Sequence, residues 1–532
     1  MTTKKKLSLL SLVAIAFLIQ ACIKNNDFDF DKIASSTWSP DLAAPLIHSS
    51  LGIQDIVSVG DSNTVSVDSN HLVSLIYRGN IYSITGSEFL PVIDQNDNTN
   101  FSITSSDSTT LYTANTLTKI TPKSIPFIFP GGEQIDSLYI KSGKLEVEIT
   151  STIPHSGTLN ISIPTLIKNG VAMSFTVPFI SSTGSQIIKI DSLALAAYLF
   201  DLTLAGFPNY FNITYTATFN NSNSLLSITN KNFDVVARFK NIEFSSIFGN
   251  LGTHPINLFE DSSRITLFDN FQGGQMYFED PKMTFFLSNS FGMPIDAHVL
   301  SLAALSPTGT SIPITGNIPD PLVIGYPSQI GQVATSSFVL DKNNSNIQTV
   351  ISQAPRYIVY TLNATSNIPN IQPNFLTDTS KFKADIQIDF PLRGYANSFT
   401  VEDTTDFSME KINEIESAVF RINIDNGFPA DAYTQAYFVD SNYTRLDSLI
   451  SNPANLLIKS AQVDGNGRVT VSTHEMSDEP FSKTRMEHLY SAKKILIISV
   501  IDTKNAPSNV EIYDTYKLDV KIGVRTQLNV KF

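Results

Sequence analysis

Phe211, Ile213, Tyr215, Ala217 and Phe219 occupy alternate positions of one segment, and Asn212, Thr214, Thr216 and Thr218 fill the gaps. Successive side chains of an extended chain point to opposite faces, so this segment has one apolar face and one hydrogen-bonding face. Leu145-Val147-Ile149, Ile358-Tyr360-Leu362 and Ala384-Ile386-Ile388-Phe390 repeat the pattern. Half-buried antiparallel strands follow, each covering a core on one side. Helical periodicity is confined to residues 407–415 and 50–57, which falls well short of the helix content of mixed folds. Turn chemistry agrees: in Val463-Asp464-Gly465-Asn466-Gly467-Arg468-Val469 the glycines stand where a tight hairpin needs positive φ.

The first residues carry a different pattern. Lys4, Lys5 and Lys6 form a basic head, and residues 7–19 form an apolar stretch too short to span a bilayer, which needs about 20 apolar residues. Leu18-Ile19-Gln20-Ala21-Cys22 resembles the bacterial lipobox, with Gln20 a departure from its usual form, and Cys22 is the only cysteine in 532 residues. The resemblance implies cleavage after residue 21, a lipid-modified Cys22 and attachment to membrane lipid through its acyl chains, each buried methylene contributing about 0.8 kcal/mol. Residues 23–31, Ile-Lys-Asn-Asn-Asp-Phe-Asp-Phe-Asp, are polar and acidic and look like the export tags of Bacteroidota-type surface lipoproteins. An outer-membrane anchor is expected, with the domains on either the cell surface or the periplasmic face. With no other cysteine there are no disulfides, so stability must come from core burial. Removing residues 1–21 takes three lysines and moves the formal charge from −13 to −16. Such a surface repels phosphate backbones, and no basic stripe points to nucleic acid.

The remaining ~510 residues exceed one core and imply about three domains. The expected division is a signal peptide at 1–21, a lipidated tether at 22–40, an N-terminal β region at 41–130, and β-sandwich domains at 131–250, 251–400 and 401–532. Pro126, Pro130, Gly131 and Gly132 mark the first cut, Gly249 and Gly252 the second. Pro307, Pro313, Pro319, Pro321 and Pro327 make residues 303–335 of the middle domain a long surface loop or strand edge.

Strand ends repeat. Met283 to Ala297, with Asn289, Pro294 and Asp296-Ala297, parallels Val419 to Ala432, with Asn426, Pro429 and Asp431-Ala432, and weaker copies end at Pro154 and Pro369. Proline fixes φ where a strand must end and turn. The spacing is too irregular for a solenoid, so separate sandwiches fit better. The strand, Asn, turn, Pro, strand order resembles the immunoglobulin-like sandwiches of the late-embryogenesis-abundant type, found in large Bacteroidota-type outer-membrane lipoproteins. That likeness covers residues 140–300 and 355–440; it implies a fold and transfers no active site.

Catalytic and metal motifs are incomplete. Val57-Ser58-Val59-Gly60-Asp61-Ser62-Asn63-Thr64 looks like the first block of the GDSL hydrolases, but the only Asp-x-x-His is Asp68 to His71, in the wrong place. Val57 and Val59 mirror Val65 and Val67 across a hairpin turn instead. The seven histidines (48, 71, 155, 254, 298, 474, 488) form no His-Glu-x-x-His pair. Ser491-Ala492-Lys493-Lys494 has a Ser-x-x-Lys spacing without partner motifs and precedes the apolar run Ile495 to Ile498, a buried strand. Asp94-Asn96-Asn98 has calcium-loop spacing, but Thr99 and Ser105 stand where glycine and glutamate belong, so a polar loop is expected. Trp38, the one tryptophan, is expected to plug the junction between tether and first domain. From Tyr516 to Phe532 the alternation suits a membrane barrel strand, though two strands or one bent strand closing the last sandwich fit the long loops better.

The sequence therefore points to an all-β chain of tandem antiparallel β-sandwich (immunoglobulin-like) domains after a lipoprotein signal peptide. The expected role is non-enzymatic binding or cell-envelope interaction with a protein or glycan partner, without cofactor or metal. The alternatives are a carrier of a hydrophobic ligand, to be recognised by an apolar cavity above roughly 300 Å³, and a hydrolase whose residues meet only in three dimensions.

Overall fold

The structure, a computed structural model, describes residues 37–56, 63–181, 186–203, 207–222, 227–257, 261–306 and 308–531. Cys22, the tether up to residue 36, and the turn around Ser62 lie outside the described residues. The segments singled out for alternation are strands with one buried face: Leu145, Val147, Ile149 and Ile358 are fully enclosed, as are Phe211, Ile213, Tyr215, Ala217 and Phe219.

Three antiparallel β-sandwiches follow one another, each built from six strands taken in the same order. In the first these are Gln134–Ser151, Gly157–Lys168, Val171–Phe179, Ile187–Ala194, Tyr210–Asn220 and Phe233–Asn250. The second uses Lys282–Asn289, Ile295–Leu305, the pair Ser311–Pro313 and Leu322–Ile324, Ala334–Leu340, Tyr357–Ser366 and Lys381–Pro391. The third uses Ile415–Asn426, Ala430–Val439, the pair Arg445–Ser448 and Leu457–Ile458, Thr473–Ser482, Lys494–Thr503 and Lys517–Leu528. Every time, the opening strand lies between the fourth and the sixth, and the second lies between the third and the fifth.

Residues 41–130, expected as one N-terminal β region, instead serve all three sandwiches. Asp41–Gly52 lines the outer edge of the third, along Lys517–Leu528. Val73–Thr85 does the same for the second along Lys381–Pro391, and Gln95–Asn100 for the first along Phe233–Asn250. The chain thus runs past the row from third to first, giving the third sandwich one strand, the second two (Asn63–Val67 pairs along Val73–Thr85) and the first one before the repeats are laid down in the opposite direction. The segment before each repeat completes the other layer: Thr116–Pro126, then Pro255–Asn257 with Asp261–Arg264, then Arg393–Asp406. Sheet hydrogen bonds cross the cuts expected near 130, 250 and 400. Asn374–Thr377 joins the first sandwich's Phe233–Asn250, Phe271–Phe278 joins Arg393–Asp406, and that last strand passes through residue 400. The physical reason is edge satisfaction: a sandwich edge bonds whichever strand covers it, and alternation says nothing about which.

The two clear copies of the expected repeat hold down to single atoms at the corner where the chain leaves one layer for the other, whereas the weaker copy at Pro369 follows the fifth strand of the second sandwich, Tyr357–Ser366, and marks no such corner. Asn289 Oδ1 accepts from Phe291 N at 2.9 Å, and its Nδ2 donates to Met293 O at 2.9 Å and Gly325 O at 3.0 Å. Asn426 Oδ1 accepts from Phe428 N at 2.9 Å, and its Nδ2 donates to Ala430 O at 3.0 Å and Lys459 O at 2.9 Å. At the first sandwich's corner, before Pro154, Ser151 Oγ takes only the Ile153 N–H, at 3.0 Å. All three are buried, so each side chain replaces water for backbone groups that the turn takes out of the ladder.

The first sandwich has the densest core. Across its layers Phe179 and Phe219 meet Phe233 with ring centroids 4.8 and 5.0 Å apart. The third is thinner. Of strand Lys494–Thr503, which holds the apolar run expected to be buried, only Leu496 is buried, and Lys517–Leu528 is half-buried or exposed throughout. That C-terminal stretch is two strands of the third sandwich, Lys517–Leu528 and Val530–Lys531; the first lies between Asp41–Gly52 and Ile415–Asn426 in a four-stranded sheet that, among the described residues, does not close into a barrel.

Several local expectations change. Val65 and Val67 pair with Leu75 and Val73, and Val57 and Val59 lie outside the described residues. Residues 407–414 are irregular, and only Ile53–Ile56 is helical near residue 50. Two helices carry no sequence stripe: Ser105–Ala114, of which six of 10 residues are Ser or Thr, and Lys483–Ser491. The first is started by a capping box in which Thr104 Oγ1 and Asp107 exchange bonds across one turn. Gln95–Asn100, expected as a polar loop, is an edge strand. The hairpin at Asp464 forms, with Asp464 Oδ1 accepting from Asn466 N and Arg468 N, but of its two glycines only Gly467 takes a positive φ, +80°.

Candidate functional site

The third sandwich has an apolar mouth at the end where the described chain both begins and finishes. Pairing from Thr37 with Lys531 to Pro45 with Gly523 keeps a single register, helped by the Leu528 N bond to Pro40 O at 3.1 Å. Trp38, Pro40, Leu42 and Ala44 therefore share a face with Val530, Leu528, Thr526 and Val524. Ala418 and Phe420, opposite Thr526 and Val524, extend this face across the sheet. Over its inner part lie Met409 and Ile412, from the irregular segment after Asp406, and Met486 of helix Lys483–Ser491. Together with Leu42, Ile415, Ala418, Phe420 and Leu528 they line an open cavity of about 320 Å³ whose only polar side chain is Thr526. Its rim is apolar and wet: Leu42 is 52% and Ile412 47% exposed, and Trp38, further along the same face, is 58% exposed. Trp38 is thus no plug and meets the third sandwich, not the first.

The helix that forms one wall is held by charge. Ser482 Oγ caps it by accepting from Arg485 N, and Arg485 Nε and His488 Nδ1 reach the Asp447 carboxylate at 3.0 Å each. Burial alone would raise the Asp447 carboxyl, but the bonds from Arg485 and His488 outweigh it and hold the group below its ordinary value. The Arg485 guanidinium also stacks 3.7 Å above the Phe481 ring. These contacts fix the helix so that Met486 and Leu489 turn inward, where both are buried.

Two larger clefts are more polar. One of about 390 Å³ lies between the second and third sandwiches at Asp280, Lys282, Lys342 and Arg393; one of about 410 Å³ lies beside Lys141, Glu243 and Asp378. A histidine–carboxylate pair sits at the joint of the first and second: His254 Nε2 lies 3.1 Å from the buried Glu133 Oε1 and 2.8 Å from Leu251 O. The bond to Glu133 raises the His254 value against the pull of burial. For Glu133 burial pushes upward, but His254 and the neighbouring backbone N–H groups leave it below its ordinary value.

The catalytic candidates from sequence stand apart. His71 is a turn residue at φ +68° beside Asp514, and Asp68 Oδ1 caps that turn through Asn70 N and Leu72 N. Ser491 Oγ bonds back to Glu487 O, while Lys494 Nζ pairs with Asp406 at 2.8 Å. His155, fully buried, approaches Ser222 Oγ at 3.2 Å, but the same Nδ1 takes the Ser222 N–H at 3.2 Å and so anchors a loop. Asp94 Oδ1 accepts from Asn241 N. Among the described residues no three metal-ligating side chains gather, and no helix is long and apolar enough to cross a membrane. Cys22 lies outside the described residues.

Fold and site define a row of three all-β sandwiches with an apolar mouth at its terminal end. No family model matches the chain, and no curated protein does. Among solved structures, a Parabacteroides distasonis chain described as a candidate secreted protein aligns over 66% of this chain and 99% of its own, at 11% identity and a TM-score of 0.17. The infectious bursal disease virus VP2 subviral particle aligns over 83% of this chain and 81% of its own, at 8% identity and a TM-score of 0.14. Overlaps this small bear on neither fold nor function.

Proposed function

We propose that this chain is a non-enzymatic lipoprotein of the bacterial outer membrane, anchored through Cys22 and acting as a binding module of the cell envelope. The observation that carries the reading is the shared end: Thr37–Trp38 pairs with Val530–Lys531, so the tether leaves from the third sandwich and the first stands furthest from it in the row. The far end of the first sandwich gathers Ser156, Ser181, Asn220, Asn221 and Ser222 around its layer corner, where Ser181 N bonds Ser156 Oγ and Asn220 N bonds Ser156 O. Hydroxyl and amide groups on loops above a rigid sandwich suit recognition of a polar protein or glycan surface.

Palmitate labelling of wild type beside Cys22→Ala tests the anchor, and protease shaving of intact cells tests the orientation. Label on wild type alone supports the reading; an unlabelled, soluble mature chain refutes it. A second reading, a carrier of a hydrophobic ligand, is favoured by the 320 Å³ apolar cavity.

A further inference from the structure

We propose that the mouth of the third sandwich docks on the bilayer that holds the tether, with Trp38, Leu42 and Ile412 entering the headgroup–acyl boundary and one lipid acyl chain entering the cavity behind them. The inference rests on the anchored reading given above. Scattered exposed aliphatic residues need no explanation. Trp38 and Leu42 differ in belonging to one face that runs, in unbroken register, from an apolar cavity out to an exposed indole, and Ile412, from the irregular segment after Asp406, lines the same cavity.

Distance agrees with the choice of partner. Trp38 follows Cys22 by 16 residues, which even fully extended reach about 55 Å at ~3.3–3.6 Å per residue. The mouth is therefore the part of the fold that the anchor keeps near lipid. An indole with an apolar body and one N–H donor is suited to the membrane–water boundary. A charge of −16 after cleavage disfavours anionic headgroups, so the apolar contact is with acyl chains of zwitterionic lipid.

Trp38 is the only tryptophan in the chain and reports its own surroundings. The test uses the mature chain with Cys22→Ala, which cannot be acylated, mixed with phosphatidylcholine vesicles. Expected are a blue shift of Trp38 emission, quenching by phosphatidylcholine brominated along its acyl chains, and co-sedimentation with the vesicles. Leu42→Asp combined with Ile412→Asp, both at exposed positions, lowers vesicle partitioning about tenfold or more. Circular dichroism checks its fold, and the quenching experiment needs no variant of the mouth. Emission unmoved and unquenched by vesicles overturns the proposal; so does a shift with dissolved palmitate but none with vesicles, which would make the cavity a soluble-ligand site. Because acylation is absent from this assay, a vesicle-induced shift upholds the docking face even if Cys22 proves unlabelled, and labelling without a shift upholds the anchor alone.

Discussion

Replacing the three corner residues should give a graded loss of stability that can be counted from their hydrogen bonds. Asn289→Ala and Asn426→Ala each remove three bonds from a buried side chain, and Ser151→Ala removes one. At about 1 kcal/mol net per bond, the asparagine variants lose about 3 kcal/mol and the serine variant about 1. The buried Phe428 N–H and the Ala430 and Lys459 carbonyls would be left without their partner, which keeps the asparagine cost from falling much below that sum. Joined sandwiches need not unfold in one step, so the readout must be local. Trp38 emission in urea follows the third sandwich. With a slope near 2 kcal/mol per molar, Asn426→Ala should lower that midpoint by about 1.5 M. Peptide-resolved hydrogen exchange reads the other two, with the loss for Asn289→Ala confined to the second sandwich and about three times that for Ser151→Ala in the first. Equal small effects from all three would refute the reasoning, because the corner would then owe its geometry to proline and backbone alone.

Three further outcomes follow from the joints and the outer strand. His254→Leu should cost roughly 3 kcal/mol near pH 5.5, since it leaves the Glu133 carboxylate buried with its charge unpaired. The pair's contribution is complete between the ordinary values of 4.5 for Glu133 and 6.5 for His254. It is lost as pH rises through the raised His254 value or falls through the lowered Glu133 value; a variant deficit independent of pH from 5 to 9 would contradict this. Gly394→Ala drives a Cβ into Tyr277 O and should loosen the strand pair joining the second and third sandwiches by about 2 kcal/mol, visible as faster exchange at the Met276 and Phe278 amides. Deleting residues 37–52 bares the Lys517–Leu528 edge and should produce dimers or aggregates in light scattering, whereas a well-behaved monomer would show that this edge needs no cover.

What could be read in advance was whatever is decided within one strand or one turn. Alternation at Phe211 to Phe219 exposed the face, and the shared Asn and Pro around Asn289 and Asn426 exposed the corner, because both depend on neighbours a few residues away. The corner's third partner could not be read: Gly325 and Lys459 lie 36 and 33 residues beyond their asparagines, and nothing in the intervening sequence marks them. Edge strands were harder still. Asp41–Gly52, Val73–Thr85 and Gln95–Asn100 form consecutive stretches of sequence, yet they finish three different sandwiches in reverse order. The apolar mouth was hidden for the same reason, since Leu42 and Thr526 face one another across almost the whole chain. Had the continuous register of residues 516–532 been matched against every other alternating segment, residues 38–44 would have been a candidate partner, which is the one signal that pointed there.

That arrangement has a consequence for assembly. The strand that completes the third sandwich comes near the start of the described chain and its partner Lys517–Leu528 near its end, so one of the longest-range pairings among the described residues must form before the mouth exists. Loop closure over such a span is slow and entropically costly unless intervening structure brings the ends together. The first and second sandwiches provide that structure, because Gln95–Asn100 and Val73–Thr85, once paired, hold residues 41–52 in line with the third repeat. Folding should therefore close the row from the first sandwich toward the third. Slowed pairing of Val73–Thr85 should delay the Trp38 signal more than the exchange protection of the first sandwich, and a Trp38 phase that completes before the first sandwich is protected would overturn that order.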